Sequence, residues 1–209
     1  MLGIIKKDLL MIKSGLKSII VILFIYVFYT VKFEMDMSFL LPFMTVMICL
    51  STFTYDDFNN WHLFATSLPQ GRINVIKSKY ITTIALIIIT TIISIVVGLI
   101  IGKYRGNLNI EEMLSSIMGE LLAIIFMMSV LFPILFKYGA EKGRIAMIVL
   151  GMGMMGLVIL VTNTININIP QEFISFLDSY FLIIYATIFI ILISVSYIFS
   201  KKIYLKREF

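Results

Sequence analysis

Long apolar stretches, separated by short polar segments, make up most of the chain from residue 18 onward. A helix that spans a bilayer needs about 20 mostly apolar residues. Lipid offers the backbone no hydrogen-bond partners, so such stretches must be helical even where Ile is abundant. The predicted spans are residues 18–33, 37–54, 80–101, 113–136, 145–161 and 180–199. The pattern therefore predicts an all-α integral membrane protein with six transmembrane helices.

The composition agrees with this fold class and excludes several others. The 209 residues are 60% hydrophobic and 14% charged, with a mean hydropathy of +1.05, whereas about a quarter of the residues of a soluble domain are charged. The polar segments between spans are too short for a soluble domain, so we predict a single transmembrane domain over residues 1–209. Cys49 is the one cysteine, which excludes a disulfide framework and a cysteine-based metal site.

The lysines and arginines lie almost entirely on one side of the predicted membrane. Of the 17 in the chain, all except Lys32, Lys103 and Arg105 lie in the two termini or in the segments after spans two and four. Cytoplasmic segments are enriched in these residues, so both termini are predicted to be cytoplasmic. The net charge of +5 then reflects topology, and nucleic acid is not an expected partner.

Residues 2–16 have the pattern of a helix that lies along the membrane surface. One face is apolar, and lysines lie along its edge, where they reach lipid phosphates. The apolar face consists of Ile5, Leu9, Ile12 and Leu16, and the edge of Lys6, Lys13 and Lys17. A simple positively charged flank of the first span explains the same lysines, and the sequence leaves both interpretations open.

Residues that carry out chemistry are scarce. Glu120 is the only acid inside a predicted span, and we favour an interaction with the outer interface over a substrate contact. Residues 151–156, GMGMMG, match a dinucleotide-binding pattern, but they lie in an apolar helix with no preceding strand, so close helix packing explains them better. The sequence has no P-loop motif, and His62 is predicted to lie at the surface. We therefore predict that the chain is not an enzyme and binds no metal or cofactor itself.

The polar insert between spans two and three, residues 54–80, is more elaborate than a simple loop. Asp56 and Asp57 suit a helix N-terminus as capping residues and through the helix dipole. Pro69 ends that helix, and Gly71 permits the turn that follows. The predicted apolar face consists of Phe58, Trp61, Ala65 and Leu68. Such a helix either rests on lipid or docks a cytosolic partner through its aromatic residues.

Two polar stretches give the chain a resemblance to a known family. The first contains Asp56-Asp57, Asn60-Trp61, Leu68-Pro69, Arg72 and Ser78-Lys79-Tyr80, and the second is Phe136-Lys137-Tyr138-Gly139-Ala140-Glu141-Lys142-Gly143-Arg144. Together with the six-span plan, they resemble the small permease subunits of ATP-binding-cassette (ABC) exporters. Within that family the chain is most similar to bacterial permeases that export peptides of the phenol-soluble-modulin type. Bacteriocin-immunity and antibiotic-resistance permeases are close relatives, and a permease for bacteriocin or antibiotic immunity or for drug efflux is the alternative within the family.

The resemblance implies a mechanism. A separate cytosolic ATPase would bind ATP and Mg²⁺. Two permease copies, identical or paralogous, would move a hydrophobic or amphipathic peptide out of the cell across the bacterial plasma membrane. A non-transporting scaffold or sensor subunit in the same lipid environment is the alternative from another class.

The resemblance also implies two contacts with the ATPase. The short helix at residues 57–68 would be the coupling helix, seated in a groove of the ATPase. Its contact residues would be Asp56, Asp57, Phe58, Trp61, Phe64, Leu68, Pro69 and Arg72. The segment between spans four and five would make a second, smaller contact through Lys137, Tyr138, Gly139, Glu141, Lys142 and Arg144.

Overall fold

The computed structural model describes residues 2–33, 40–68, 71–105, 109–164 and 171–207, and every regular element in these ranges is an α-helix. The helices are α1 (Leu2–Phe33), α2 (Leu40–Phe58), α3 (Trp61–Ser67), α4 (Gly71–Arg105), α5 (Ile110–Thr164) and α6 (Gln171–Lys206). The predicted all-α class is confirmed.

Three segments of the described residues are long and apolar enough to cross a bilayer. They are Gly71–Tyr104, Met113–Met154 and Ile183–Lys206. The chain is therefore an integral membrane protein. The second segment contains most of two predicted spans, 113–136 and 145–161, and the plan of six spans stays a prediction.

The first helix is longer than predicted. Residues 2–16, predicted to lie on the membrane surface, and the first predicted span form one uninterrupted helix, α1. No proline occurs between residues 2 and 33. Gly15 alone does not end a helix, because an interior glycine costs only about 1 kcal/mol relative to alanine.

The packed face of α1 differs from the predicted apolar stripe. Ile4, Asp8 and Ile12 are buried, whereas Leu9 is exposed. Residues four apart lie one above the other on a helix, so Ile4, Asp8 and Ile12 form one face that packs against the bundle. The start of α1 is thus part of the folded core and includes a buried acid.

The helix α5 combines two helical segments at a kink. Gly139 has φ 82° and ψ −177°, a conformation that is essentially restricted to glycine. The segment predicted to be a loop between spans four and five is therefore a kink between two helices, with no intervening loop. The chain thereby places residues 137–144 beside the end of α2.

An aromatic cluster forms the core at the end of the bundle that carries α3. Phe53 of α2 and Phe136 of α5 have ring centroids 5.2 Å apart, and Tyr80 of α4 lies 4.5 Å from Phe132. Tyr204 of α6 packs against Phe136 at 5.2 Å. Each such pair adds about 0.5–1.5 kcal/mol beyond its buried area. Four helices contribute to the cluster, so it fixes the helix ends around α3.

Candidate functional site

The short helix α3 begins directly after a residue in the left-handed conformation. Asn60 has φ 51° and ψ 32°, and asparagine is one of the few residue types that adopt this conformation readily. The chain turns there, so α3 is separate from α2. The prediction that Asp56 and Asp57 cap the short helix is wrong, because both lie in the last turn of α2 and α3 has no side-chain cap.

The surface around α3 carries three strongly exposed apolar side chains. Phe58, at the end of α2, is 83% exposed, while Leu63 and Phe64 of α3 are 56% and 54% exposed. We call these three residues the apolar patch. The patch lies beyond the predicted end of the second span, residue 54.

Two residues of the predicted apolar face, Trp61 and Ala65, point inward, whereas Phe58 of the same predicted face is exposed. Ala65 is fully buried, and Trp61 packs against the hydrophobic core. The Lys7 ammonium group lies 4.3 Å from the centroid of the Trp61 ring, within reach of a cation–π interaction. Burial of apolar area is favourable, so this face packs on the bundle. Trp61 therefore supports α3 from behind, and the exposed side chains are those of the apolar patch.

A tight turn connects α3 to α4. The Leu68 amide donates to the Ala65 carbonyl (3.3 Å), and the Gly71 amide donates to the Leu68 carbonyl (2.9 Å). A Cβ at Gly71 would lie only 1.7 Å from the Ala65 carbonyl oxygen. The turn therefore requires glycine at position 71 for lack of space.

Arg72 and Pro69 of this segment were also predicted to contact the ATPase. The Arg72 guanidinium donates to the Leu205 carbonyl at 2.9 Å, which connects the start of α4 to the end of α6. Pro69 lies outside the described residues.

Asp56 is fully buried in an ion cluster that connects three helices. The buried ion cluster consists of Lys7 and Asp8 of α1, Asp56 of α2 and Lys79 of α4. The Lys79 ammonium lies 2.7 Å from Asp56 Oδ2 and 3.1 Å from Asp8 Oδ1, and Lys7 pairs with both acids. Lys79 also donates to the Thr52 hydroxyl at 3.0 Å. The charges of the cluster cancel, which is what makes its burial tolerable. Because Asp56 is enclosed, we no longer expect it to contact the ATPase directly.

His62 is buried, whereas the sequence predicted a surface residue. Its Nε2 lies 2.8 Å from Asp57 Oδ1, and its Nδ1 lies 2.9 Å from the Tyr204 hydroxyl. The other oxygen of Asp57 accepts a hydrogen bond from the Ala140 amide at 2.6 Å. Burial raises the pKa of Asp57, but the hydrogen bonds from His62 and Ala140 outweigh this effect and hold the pKa below its usual value. Asp57 is thus a carboxylate at neutral pH that links α2, α3 and α5.

The second predicted contact segment is largely exposed. Tyr138 is exposed, with the ammonium groups of Lys137 and Lys142 at 4.8 Å and 5.1 Å from its ring centroid. The hydrogen bond with Lys137, supported by both positive charges, lowers the pKa of the Tyr138 hydroxyl. Glu141 and Arg144 are exposed as well, whereas Gly139 is buried against Asp57.

An open cleft of about 690 Å³ separates α3 from the kink in α5. Apolar side chains from both sides line it, together with charged groups. Its lining includes Phe58, Leu63, Tyr138, Asp57, His62, Glu141, Arg144 and Arg207. The structure thus brings the two predicted contact segments to opposite walls of one cleft.

Glu120 is half-buried beside α4. It lines a cavity of about 10 Å³ together with Thr90, Thr91 and Ser94, which lie near the middle of the predicted span 80–101. A cavity of this size holds about one water molecule. The carboxyl group therefore has hydroxyl-bearing neighbours within the bundle, which the sequence analysis did not identify.

Several residues of the site were missed in the sequence. The missed residues are Lys7, Asp8, Lys79 and Tyr204. One signal was available, because Asp8 lies on the same helical face as Ile4 and Ile12, and a buried charge needs a partner. Tyr204 gave no such signal, because its partners come from distant parts of the chain.

The long apolar helices define a multi-pass membrane protein, and its family follows from comparison with known proteins. A family profile described as "ABC-2 family transporter protein" matches residues 3–205. The match covers nearly the whole chain, so the chain belongs to this family and is the permease component of an ABC transporter. Membership implies association with an ATPase subunit. No curated protein and no solved structure matches the chain.

Proposed function

We propose that the chain is the permease of an ABC exporter and that its ATPase docks on the apolar patch. The observation that carries this proposal is the exposure of Leu63 and Phe64 on α3 and of Phe58 at the end of α2. A few apolar anchors usually provide most of the energy of an interface. The aromatic core and the buried ion cluster hold this helix from behind, and a preorganised surface loses little entropy on binding.

The opposite wall of the cleft supplies the second contact. Tyr138 faces the cleft, and Lys137, Glu141, Lys142 and Arg144 surround it with charge. An apolar centre with a charged rim is the usual anatomy of a protein interface. A segment of the ATPase that enters the cleft would therefore contact α3 and the kink of α5 together.

The substrate that we propose is a hydrophobic or amphipathic peptide of the phenol-soluble-modulin type. Two cavities between the helices, beside Glu120 and beside Tyr80, have volumes of only about 10 and 20 Å³. Neither admits a peptide, which favours a pathway formed between two permease copies. The predicted spans contain almost no charge, and this composition suits a cargo with large apolar faces.

We propose an orientation with α3 and both termini in the cytoplasm. A cysteine at Tyr104, an exposed residue at the far end of α4, should then react with a membrane-impermeant thiol reagent on intact cells. A cysteine at Asn59, beside α3, should not react. The buried Cys49 is replaced by Ser in both variants. The reverse labelling pattern would contradict the orientation and, with it, ATPase docking on α3.

Phe64→Ala tests the docking site. Loss of an aromatic anchor at an interface costs about 2 kcal/mol, so we expect association with the ATPase to weaken roughly 30-fold. The measurement is a titration of purified permease with the ATPase in detergent or nanodiscs. Membrane levels should not change, because Phe64 is exposed and its ring contact at 5.0 Å is with Trp61 of the same helix.

The matched control is Tyr104→Ala, which removes an exposed aromatic side chain at the opposite end of α4. Its ATPase affinity should equal that of the wild type. Equal affinity for Phe64→Ala and the wild type would mean that the apolar patch does not dock the ATPase, and a wild-type permease that binds no ATPase would indicate a scaffold or sensor subunit.

A further inference from the structure

Asp57 bridges two segments that are far apart in the sequence. One carboxylate oxygen lies 2.8 Å from His62 Nε2 on α3, and the other accepts the Ala140 amide at 2.6 Å. Both segments face the cleft, where the ATPase is proposed to dock. A single side chain therefore forms hydrogen bonds to both walls of the cleft.

The kink in α5 makes the Ala140 amide available for this contact. The positive φ of Gly139 interrupts the helical hydrogen bonds, and the first amides of a helix have no partner within that helix. Asp57 thus caps the second half of α5, residues 140–164, from another helix, and a carboxylate at a helix N-terminus is also favoured by the helix dipole. A Cβ at position 139 would lie 2.9 Å from Asp57 Oδ2, so glycine is needed for the approach as well as for the turn.

A second connection runs from α3 through α6 back to α5. His62 Nδ1 lies 2.9 Å from the hydroxyl of Tyr204, which is fully buried near the end of α6. The Arg207 guanidinium then donates to the Phe136 carbonyl at 3.0 Å, just before the kink. His62 is therefore held on two sides, and α3 is connected both to the kink and to the helical turn that precedes it.

We propose that Asp57, with His62 as its partner, is the positioning residue that makes α3 and residues 140–164 move as one unit. A displacement of α3 by the ATPase is then transmitted directly to the second half of α5, across the cleft. The part of this inference that concerns the ATPase rests on the proposed function. The mechanical link itself is a property of the permease alone.

The link is tested by the distance between spin labels on the two walls of the cleft in purified full-length permease. The labelled positions are Leu63→Cys and Glu141→Cys, both exposed, in a Cys49→Ser background. In the labelled permease with Asp57 and His62 unchanged, we expect one narrow distribution of the distance between the two spin labels. Asp57→Ala removes both hydrogen bonds and is expected to widen the distribution more than about twofold, because an untethered element moves with larger amplitude.

His62→Phe is the second variant, and it keeps a ring against Tyr204 while it removes the hydrogen bonds to Asp57 and to the Tyr204 hydroxyl. This variant should also widen the distance distribution. If size-exclusion chromatography shows that Asp57→Ala is not folded, His62→Phe alone tests the link. The matched control is Asn59→Ala, whose side chain bonds only the Tyr55 carbonyl of its own turn, at 2.8 Å. An unchanged width in the folded variants of Asp57 and His62 would overturn the proposal.

The functional readout is peptide transport per ATP hydrolysed in vesicles that contain the permease and its ATPase. Asp57→Ala should lower this ratio at least about fivefold, the lower range of a coupling between two sites. The assay uses saturating ATPase, so that the ratio does not depend on how tightly each variant binds the ATPase. Asp57→Asn keeps the side-chain volume and one acceptor oxygen, so it should restore part of the ratio.

The outcomes separate the two proposals. If Phe64→Ala binds the ATPase as well as the wild type does, the docking proposal fails, but the spin-label distances still decide whether Asp57 links the two walls. If docking is confirmed and Asp57→Ala transports with the wild-type ratio, the docking proposal stands and the transmission role of Asp57 is overturned.

Discussion

Asp56→Ala is expected to lower the free energy of unfolding by about 3–5 kcal/mol, because it leaves a buried charge without its partner. Lys79 is almost fully enclosed and lies 2.7 Å from Asp56. After the substitution, the buried ion cluster carries two cations and only one acid, Asp8. The Lys7 side chain is only 17% exposed and that of Lys79 only 2%, so the excess positive charge is poorly hydrated and the fold must open locally or expose Lys79.

The measurement is thermal or denaturant unfolding of the purified permease in detergent, together with the fraction inserted in membranes. Glu111→Ala, which removes an exposed acid from the far end of the bundle, serves as the control and should change stability by less than about 1 kcal/mol. The double variant Asp56→Leu/Lys79→Met removes both charges and leaves Lys7 paired with Asp8. It should be clearly more stable than Asp56→Ala, since replacement of a whole buried pair is often neutral. Equal loss in the single and double variants would contradict the ion cluster as the cause.

The pattern of apolar residues predicted the all-α class correctly, because lipid leaves the backbone no alternative to helical hydrogen bonds. It also located the short helix, through Trp61 and the turn at Gly71. Periodicity did not predict which face of the short helix packs on the core. Trp61 and Ala65 lie on one apolar face of the short helix, and Leu63 and Phe64 lie on another. Only the tertiary structure decides which of the two faces packs on the core.

Asp56 and Asp57 show a second limit of the sequence. They are adjacent and chemically identical, and both suit a helix N-terminus. In the structure, Asp56 is enclosed by Lys7 and Lys79, whereas Asp57 reaches toward Ala140. These partners lie up to 83 residues away, and the i, i+3 and i+4 spacings on which helix prediction depends carry no information about them.

The kink in α5 was also beyond the sequence pattern. Gly139 lies among charged residues, which is typical of a loop between two spans. Nothing in the composition of that segment shows that Asp57 satisfies the backbone there, and with this support the helices continue on both sides of a single glycine. The resemblance to permeases predicts a contact with the ATPase for this segment, and the structure shows which side chain holds its backbone in place.

Gly71→Ala is expected to reduce ATPase association more strongly than any single change in the apolar patch. The new Cβ would lie 1.7 Å from the Ala65 carbonyl oxygen and 3.1 Å from Leu68 Cβ, so the end of α3 must shift by more than 1 Å. A well-packed site resists such a change at a typical cost of about 1–3 kcal/mol. The shift displaces Leu63 and Phe64 together relative to the opposite wall of the cleft. Loss of two anchors corresponds to about 3 kcal/mol or more, or a decrease in affinity of over 100-fold.

The measurement for Gly71→Ala is the same titration with the ATPase, at matched amounts of folded permease. Gly151→Ala is the matched control, because a Cβ at that helical position meets no atom within 4 Å, and its affinity should equal that of the wild type. Even without the ATPase, the shift of α3 should change the distance between spin labels at positions 63 and 141. Wild-type affinity in Gly71→Ala, combined with a changed distance, would show that the position of α3 does not control docking. The ATPase would then have to bind chiefly to the wall formed by residues 137–144.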